Sequence, residues 1–167
     1  MEKIIVLDTS AIINGYNPLL MIGNRQVISI DALNEIIQED KRKIVEEALE
    51  IKRLEKINPE EKFIIKAEEI AKETNDIKYL SKSDISTIAL ALELKEKGFE
   101  PIIITDDFSI QNVIKFLGLK YAPMATRGIR KLIKWKLYCP ACGRKYNGEK
   151  LNECLVCGVK LKRKPIL

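Results

Sequence analysis

Pro101-Ile102-Ile103-Ile104-Thr105-Asp106-Asp107 decides the fold. Three consecutive isoleucines behind a proline read as a strand buried on both faces, the kind found in parallel sheets. Lys3 to Leu7 is a second β-branched apolar run, and Gln26 to Ile30 a third. Helical patterns lie between these runs. Ser10 is a plausible cap for a short helix through Ala11-Ile12-Ile13. From Asp31, apolar residues at Leu33, Ile36, Ile37, Ile44, Val45, Ala48, Leu49, Ile51 and Leu54 mark one or two amphipathic helices, which Asn58-Pro59 breaks. An extended piece is expected around Phe63-Ile64-Ile65, then a helix ending near Thr74-Asn75. Ser83 is expected to cap a helix with Ile85, Ile88, Ala89, Leu92 and Leu94 on its buried side, closed by Gly98. Asp106-Asp107 opens a helix that stops at Gly118. Strands alternating with helices predict an α/β fold, a parallel sheet covered by helices on both faces.

The chain has no histidine. This excludes a Ser-His-Asp or Cys-His hydrolase and a metal-free ribonuclease that relies on histidine acid–base pairs. No apolar run approaches the roughly 20 residues of a membrane span, and Asp8 interrupts the only apolar run near the start. A cytoplasmic protein with no membrane partner is expected. All four cysteines lie in Cys139-Pro140-Ala141-Cys142-Gly143 and Cys154-Leu155-Val156-Cys157-Gly158. Two Cys-x-x-Cys turns, each followed by glycine, form a closed four-thiolate site for one structural zinc ion, a zinc ribbon. Two disulfides are the other use of such cysteines, and a reducing cytosol disfavours them. A closed site leaves no coordination position for chemistry, which must lie elsewhere.

Acids stand at element ends. Asp8 follows the first strand, Asp106-Asp107 follow the Ile-rich one, Asp84 lies in the first turn of its helix, and Glu35 lies early in another. In an open parallel sheet the carboxyl ends of the strands share one edge, where ligands bind. Carboxylates gathered there suit a hard divalent cation whose bound water serves as nucleophile. Each acid also has a plain structural use, as helix cap, turn former or dipole partner.

Leu7-Asp8-Thr9-Ser10-Ala11, Leu33-Asn34-Glu35-Ile36, Leu80-Ser81-Lys82-Ser83-Asp84-Ile85 and Ile104-Thr105-Asp106-Asp107-Phe108 together resemble the motifs of PIN-domain nucleases. The longer strings Leu80 to Leu94 and Thr105 to Val113, with the ribbon behind them, resemble the Nob-type endoribonucleases of ribosome biogenesis in particular. The resemblance spans essentially the whole chain. It implies a PIN-like domain over residues 1–122, a linker at 123–135, a zinc ribbon at 136–160 and a basic tail at 161–167. It implies Mg²⁺- or Mn²⁺-dependent cleavage of single-stranded RNA, at the 3′ end of small-subunit ribosomal RNA in its precursor. Its acidic positions fall on Asp8, Glu35, Asp84 and Asp107. Asp106 is then an outer or alternate ligand, and Thr105 a hydroxyl that orients the acids. The pre-small ribosomal subunit and assembly-factor proteins are the implied partners.

Charge divides the chain. Residues 1–117 hold 16 Lys and Arg against 22 Asp and Glu, whereas residues 118–167 hold 13 against Glu149 and Glu153 alone. Such a basic segment fits a polyanion. Arg127, Arg130, Lys131, Lys134, Arg144, Lys145, Lys162, Arg163 and Lys164 are the expected RNA contacts. Of the aromatics among them, Trp135 and Tyr138 read as packing around a small ribbon, and Tyr146 as a base-stacking face. Two other functions fit the same features: a toxin-type or general RNA-decay PIN ribonuclease, and a ribosome-binding zinc module with an inactive acidic site.

Overall fold

The computed structural model describes residues 1–129, 131–147 and 151–166. Five parallel strands, β1 (Lys3–Leu7), β2 (Arg25–Ser29), β3 (Glu55–Ile57), β4 (Glu100–Ile104) and β5 (Lys120–Ala122), pair in the order β3-β2-β1-β4-β5. Six helices connect them: α1 (Thr9–Ile13), α2 (Ile30–Asn34), α3 (Glu39–Glu50), α4 (Glu61–Glu73), α5 (Lys82–Glu96) and α6 (Phe108–Phe116). Alternation along the strands feeds two cores. Ile4, Val6, Val27 and Ile103 face α4, α5 and α6, whereas Leu7, Ile28 and Ile104 face α1 and α3. This is the α/β arrangement expected from the isoleucine run.

Proline in a central strand requires an explanation, because it cannot donate to a ladder. The Glu100 N–H donates to Glu2 O and the Asp8 N–H to Ile104 O, so even-numbered residues of β4 bond toward β1. The Thr105 N–H donates to Ala122 O, so odd-numbered residues bond toward β5. Pro101 therefore turns its nitrogen to the β5 side, and β5 begins only opposite Ile102. No ladder bond is lost.

Several local expectations are corrected. Asp8, not Ser10, caps α1, and Ser81, not Ser83, caps α5. The extended piece is Glu55–Ile57 rather than Phe63-Ile64-Ile65, which lie inside α4 with Phe63 buried. Asn58-Pro59 separates that strand from the helix. Helix α5 is buried on every side from Ile85 to Leu94, including Ser86, Thr87, Leu90 and Ala91. It lies against the sheet, α2, α4 and α6 at once, so a one-sided apolar stripe was the wrong template. Between α4 and α5, a 3₁₀ turn (Ile77–Tyr79) follows Asp76, which is 0% exposed and accepts a 2.8 Å hydrogen bond from Asn112 Nδ2 on α6.

A second unit runs from Lys131 to Leu167. Its sheet, β7-β6-β8, is antiparallel: β6 (Lys134–Tyr138), β7 (Lys145–Tyr146) and β8 (Lys162–Ile166). The expected linker and tail are therefore placed differently. Residues up to 129 belong with the first unit, β6 begins at Lys134 inside the expected linker, and the tail is the strand β8, paired along the whole of β6. No helix of the described residues is long and apolar enough to cross a membrane.

Asn112→Ala should take one hydrogen bond from the buried Asp76 carboxylate. We expect a loss of about 1–3 kcal/mol, read as a lower urea midpoint with unchanged slope. An unchanged midpoint would show that the Asp76 contact to α6 is not needed.

Candidate functional site

The strand order reverses direction between β1 and β4, the position where open α/β sheets place ligands. Asp8 leaves β1 at that edge and is 2% exposed. Its Oδ2 accepts from Ser10 Oγ (2.6 Å), Thr105 Oγ1 (2.9 Å) and the Ser10 N–H (3.3 Å). Its Oδ1 is buried with no hydrogen-bond partner among the described residues. Burial raises the Asp8 pKa against the pull of the Ser10 and Thr105 hydroxyls. A carboxylate held so firmly on one oxygen and left bare on the other is short of a cation or proton.

Asp84 reaches the same region from the start of α5. Ser81 Oγ accepts the Asp84 N–H (3.3 Å) and Asp84 Oδ2 accepts the Ser81 N–H (2.6 Å), a reciprocal capping box. Burial pushes the Asp84 pKa up to about 6; the Ser81 N–H opposes this, and the charges of Asp8 and Asp107 add to it. Asp107 caps α6 through Oδ1, which accepts from the Ser109 N–H (2.6 Å) and the Ile110 N–H (3.0 Å). Its own N–H donates to Thr105 Oγ1 (3.1 Å), and Thr105 is 0% exposed. Thr105 thus links Asp8 to Asp107 through one hydroxyl.

The other two acids are held differently. Asp106 spends both oxygens on the backbone N–H groups of Met124, Ala125 and Thr126 and on Asn14 Nδ2. Burial opposes its ionisation, but these donors, Thr126 and Asn14 foremost, outweigh burial and hold its pKa below the usual value. Glu35 is exposed at the C-terminal end of α2, not in the first turns of its helix. Nearby, Asp31 instead pairs with Lys82 at 2.9 Å. Sequence reasoning missed Ser10 and Ser81 as hydroxyl partners of the acids. The Ser-x-x-Asp spacing of residues 81–84 was the available signal for the second.

Asp8, Asp84 and Asp107 offer hard oxygen donors from three separate elements, and the bare Asp8 Oδ1 fits a divalent cation such as Mg²⁺ or Mn²⁺. Among the described residues only the four thiols form a closed ligand set. The acids are an open cluster, which suits an ion that keeps several of its waters.

In the second unit, Cys139, Cys142, Cys154 and Cys157 have their sulfurs all within 4.8 Å of one another, and none is in a disulfide. Cys139 and Cys157 approach to 3.4 Å, and Cys142 and Cys154 to 3.6 Å. Tetrahedral zinc with bonds of about 2.3 Å has sulfur–sulfur edges of about 3.8 Å, so the set is compatible with zinc. Gly143 and Gly158 follow the knuckles at φ of 73° and 70°, a conformation that glycine adopts without strain. Tyr146 is corrected here. It is only 7% exposed, its hydroxyl lies 3.1 Å from Cys154 Sγ and accepts the Leu155 N–H, and it lowers the Cys154 pKa to about 6. Its ring packs with Cys139, Cys154 and Leu161, so it has no face for a base.

Register sorts the basic residues. Partners opposite one another in a ladder share a face, so Lys134, Lys136, Tyr138, Lys145, Lys162 and Lys164 lie on one side. Lys164 Nζ sits 5.2 Å from the centre of the Tyr138 ring. Arg163 lies on the opposite face, stacked 3.8 Å over Trp135. Arg144 and Lys131 are exposed, Arg127 belongs to the first unit, and Arg130 lies outside the described residues.

Two measurements check these sites. In the metal-free protein the Asp84 pKa is raised on folding, so the folded state binds more protons between pH about 4 and about 6 and stability is lost as pH rises through that window. Asp84→Asn should therefore gain stability relative to wild type over the same window, by about 1–2 kcal/mol at pH 7 after allowing for solvent screening. A difference that does not change with pH would contradict the burial of this charge. For the ribbon, Trp135 is the only tryptophan and reports on β6. We expect one zinc per chain, and a strong chelator should shift the Trp135 emission to the red while helical circular dichroism persists. Metal analysis without zinc, or cysteines paired as disulfides, would overturn this.

A family model described as the PIN domain of ribonuclease matches residues 5–94. "Endoribonuclease Nob1" of Methanocaldococcus jannaschii is 39% identical over 165 residues, 98% of this chain and 79% of that protein. "Endoribonuclease Nob1" of Methanothermobacter thermautotrophicus is 35% identical over 161 residues, 95% of this chain and 91% of that protein. "Ribonuclease VapC1" of Thermoplasma acidophilum is 33% identical over 163 residues, 98% of this chain and 79% of that protein. The likeness to the two Nob1 proteins extends over both units of this chain. The chain belongs to the PIN-domain ribonucleases, in their Nob-type endoribonuclease branch.

Proposed function

We propose that the chain cleaves single-stranded precursor ribosomal RNA to form the 3′ end of the small-subunit RNA, acting on the pre-small subunit in the cytoplasm alongside assembly-factor proteins. The observation that carries the chemistry is the buried, unpartnered Oδ1 of Asp8 next to Asp84, whose own pKa is raised by burial and by the charges of Asp8 and Asp107. In this reading Asp8, Asp84 and Asp107 hold Mg²⁺ or Mn²⁺, with Glu35 the fourth acid by family resemblance. When bound, the ion supplies an acidified water and positive charge for the phosphate and the leaving 3′-oxygen. Thr105 and Ser10 keep Asp8 in one orientation and Asp107 is kept in place by its cap on α6, so little reorganisation is needed as charge develops. Hydrolysis in this direction leaves a 3′-hydroxyl and a 5′-phosphate.

Three carboxylates repel an RNA backbone. Attraction has to come from elsewhere, and the lysine face of the ribbon, Lys134, Lys145, Lys162 and Lys164 with Lys136, supplies it. Tyr138, set among these lysines, is the aromatic best placed to meet a base. Lys131 and Arg144 add exposed charge, whereas Arg163 is engaged with Trp135. The zinc ion shapes this face and takes no part in the reaction.

The test is an RNA spanning the mature 3′ end, incubated with Mn²⁺ or Mg²⁺. Wild type should cut it at one position, and Asp8→Asn should slow the cut on the order of 100-fold or more. Equal cleavage by both proteins would sink the acidic site. Scattered cuts in unrelated RNAs would instead favour a general ribonuclease, and binding without cleavage in either metal a ribosome-binding module. Lys162→Ala and Lys164→Ala should weaken RNA binding and reduce its salt slope by about one each.

A further inference from the structure

After β5 the chain crosses the acidic sheet edge as a strap, residues 123–129, fastened at both ends. At one end Asp106 Oδ1 accepts the N–H groups of Met124 (2.9 Å), Ala125 (3.0 Å) and Thr126 (3.0 Å), while Oδ2 accepts from Asn14 Nδ2 (2.6 Å). At the other end the Ile129 N–H donates to Gln111 Oε1 (3.0 Å), and Ile129 O accepts from Tyr121 Oη (2.6 Å). Gln111 is 0% exposed and donates from Nε2 to Thr105 O (3.0 Å). The strap is closely seated between these ends. Gly128 has φ +65°, and a Cβ there would stand 3.3 Å from the Tyr121 ring and 3.4 Å from Pro123.

Both anchors lead back to the acids. The Asp106 N–H donates to Ser10 Oγ (3.1 Å), the hydroxyl that also donates to Asp8, and Gln111 holds the carbonyl of Thr105, whose hydroxyl donates to Asp8 as well. Arg127 stands between the two anchors, with Thr126 pinned on one side and Gly128-Ile129 on the other. Its side chain is exposed. The strap therefore fixes the backbone of one arginine, directly beside an N–H that is 3.0 Å from Asp106. A guanidinium offers paired donors that match phosphate oxygens, and it cannot lose its charge near physiological pH.

We propose that the strap is a phosphate clamp of the acidic site: Arg127 grips an RNA phosphate at this edge, with Asp106 and Gln111 as the residues that position it. This rests on the nuclease reading above for its ligand, and it gives Asp106 a task other than metal ligation. The lysine face of the ribbon attracts RNA through many screened charges, whereas Arg127 acts on one phosphate from a fixed backbone.

The test is binding of an uncleavable single-stranded pentanucleotide to the full chain with Mn²⁺, which needs no turnover. Arg127→Ala should weaken binding about tenfold, with Arg127→Lys in between. Asp106→Ala should weaken it to the same extent, and the double variant no further, since both act through one contact. Asp106→Asn keeps a hydrogen-bond acceptor for the strap and should retain most of the affinity. Mn²⁺ affinity, measured calorimetrically, should be unchanged in all of these. Unchanged pentanucleotide affinity in Arg127→Ala overturns the clamp. Loss of Mn²⁺ affinity in both Asp106→Asn and Asp106→Ala overturns the positioning role and makes Asp106 a metal ligand. A wild type that binds the pentanucleotide yet cuts no RNA would refute the nuclease reading and leave the clamp supported.

Discussion

The Asp8 carboxylate, buried where β1 and β4 part, is the constraint from which the rest of the first unit is organised. Taking a carboxylate out of water disfavours its charged form unless donors or a cation compensate. Ser10 and Thr105 compensate on one oxygen only, and those two hydroxyls then commit their neighbours. Thr105 receives the Asp107 N–H, Ser10 receives the Asp106 N–H, and the two aspartates are set to different tasks one residue apart. Asp107 caps α6 within the range of Asp84, while Asp106 holds the strap. The isoleucines of β1 and β4 hold this arrangement in place, since Leu7 and Ile104 are direct partners in the ladder that ends there.

The second unit answers a different difficulty. With Cys139, Cys154, Tyr146 and Leu161 as its buried cluster, it has too little apolar surface to fold by burial alone. A metal held by the four thiols would offset that shortage, and Tyr146 sits inside with its hydroxyl against the Cys154 sulfur. The two sites differ in donor chemistry. Soft sulfurs are closed around one point and hard oxygens are left open, so each selects a different class of ion.

Much of this was legible in the sequence. The isoleucine run, the acids at strand ends and the doubled Cys-x-x-Cys gave the sheet, the acidic edge and the thiolate cluster, because each depends on local spacing. Tertiary context hid the rest. Nothing in Thr105-Asp106-Asp107 tells which aspartate turns to the strap, since that depends on where Met124 to Thr126 return. Tyr146 looked like a surface aromatic among lysines until β7 paired with β6 and turned it inward with Leu137. The helix from Lys82 to Glu96 carries serine, threonine and glutamate at positions that are buried, and no apolar stripe announces a helix enclosed on all sides. Glu35 was read as early in a long helix, whereas α2 ends before it.

Pro101 carries a consequence for how this chain can vary in length. Because it keeps the β5 side of β4 unpaired until Ile102, β5 has three residues in register, Lys120 to Ala122, and ends level with Ile104. The next residues turn at once into the strap, whose three consecutive amides meet Asp106. One residue inserted or deleted between Lys120 and Thr126 would slide those amides by about 3.3 Å past the carboxylate and turn alternate side chains over. That short stretch, only half-buried as it is, should therefore be as intolerant of insertions as a buried strand.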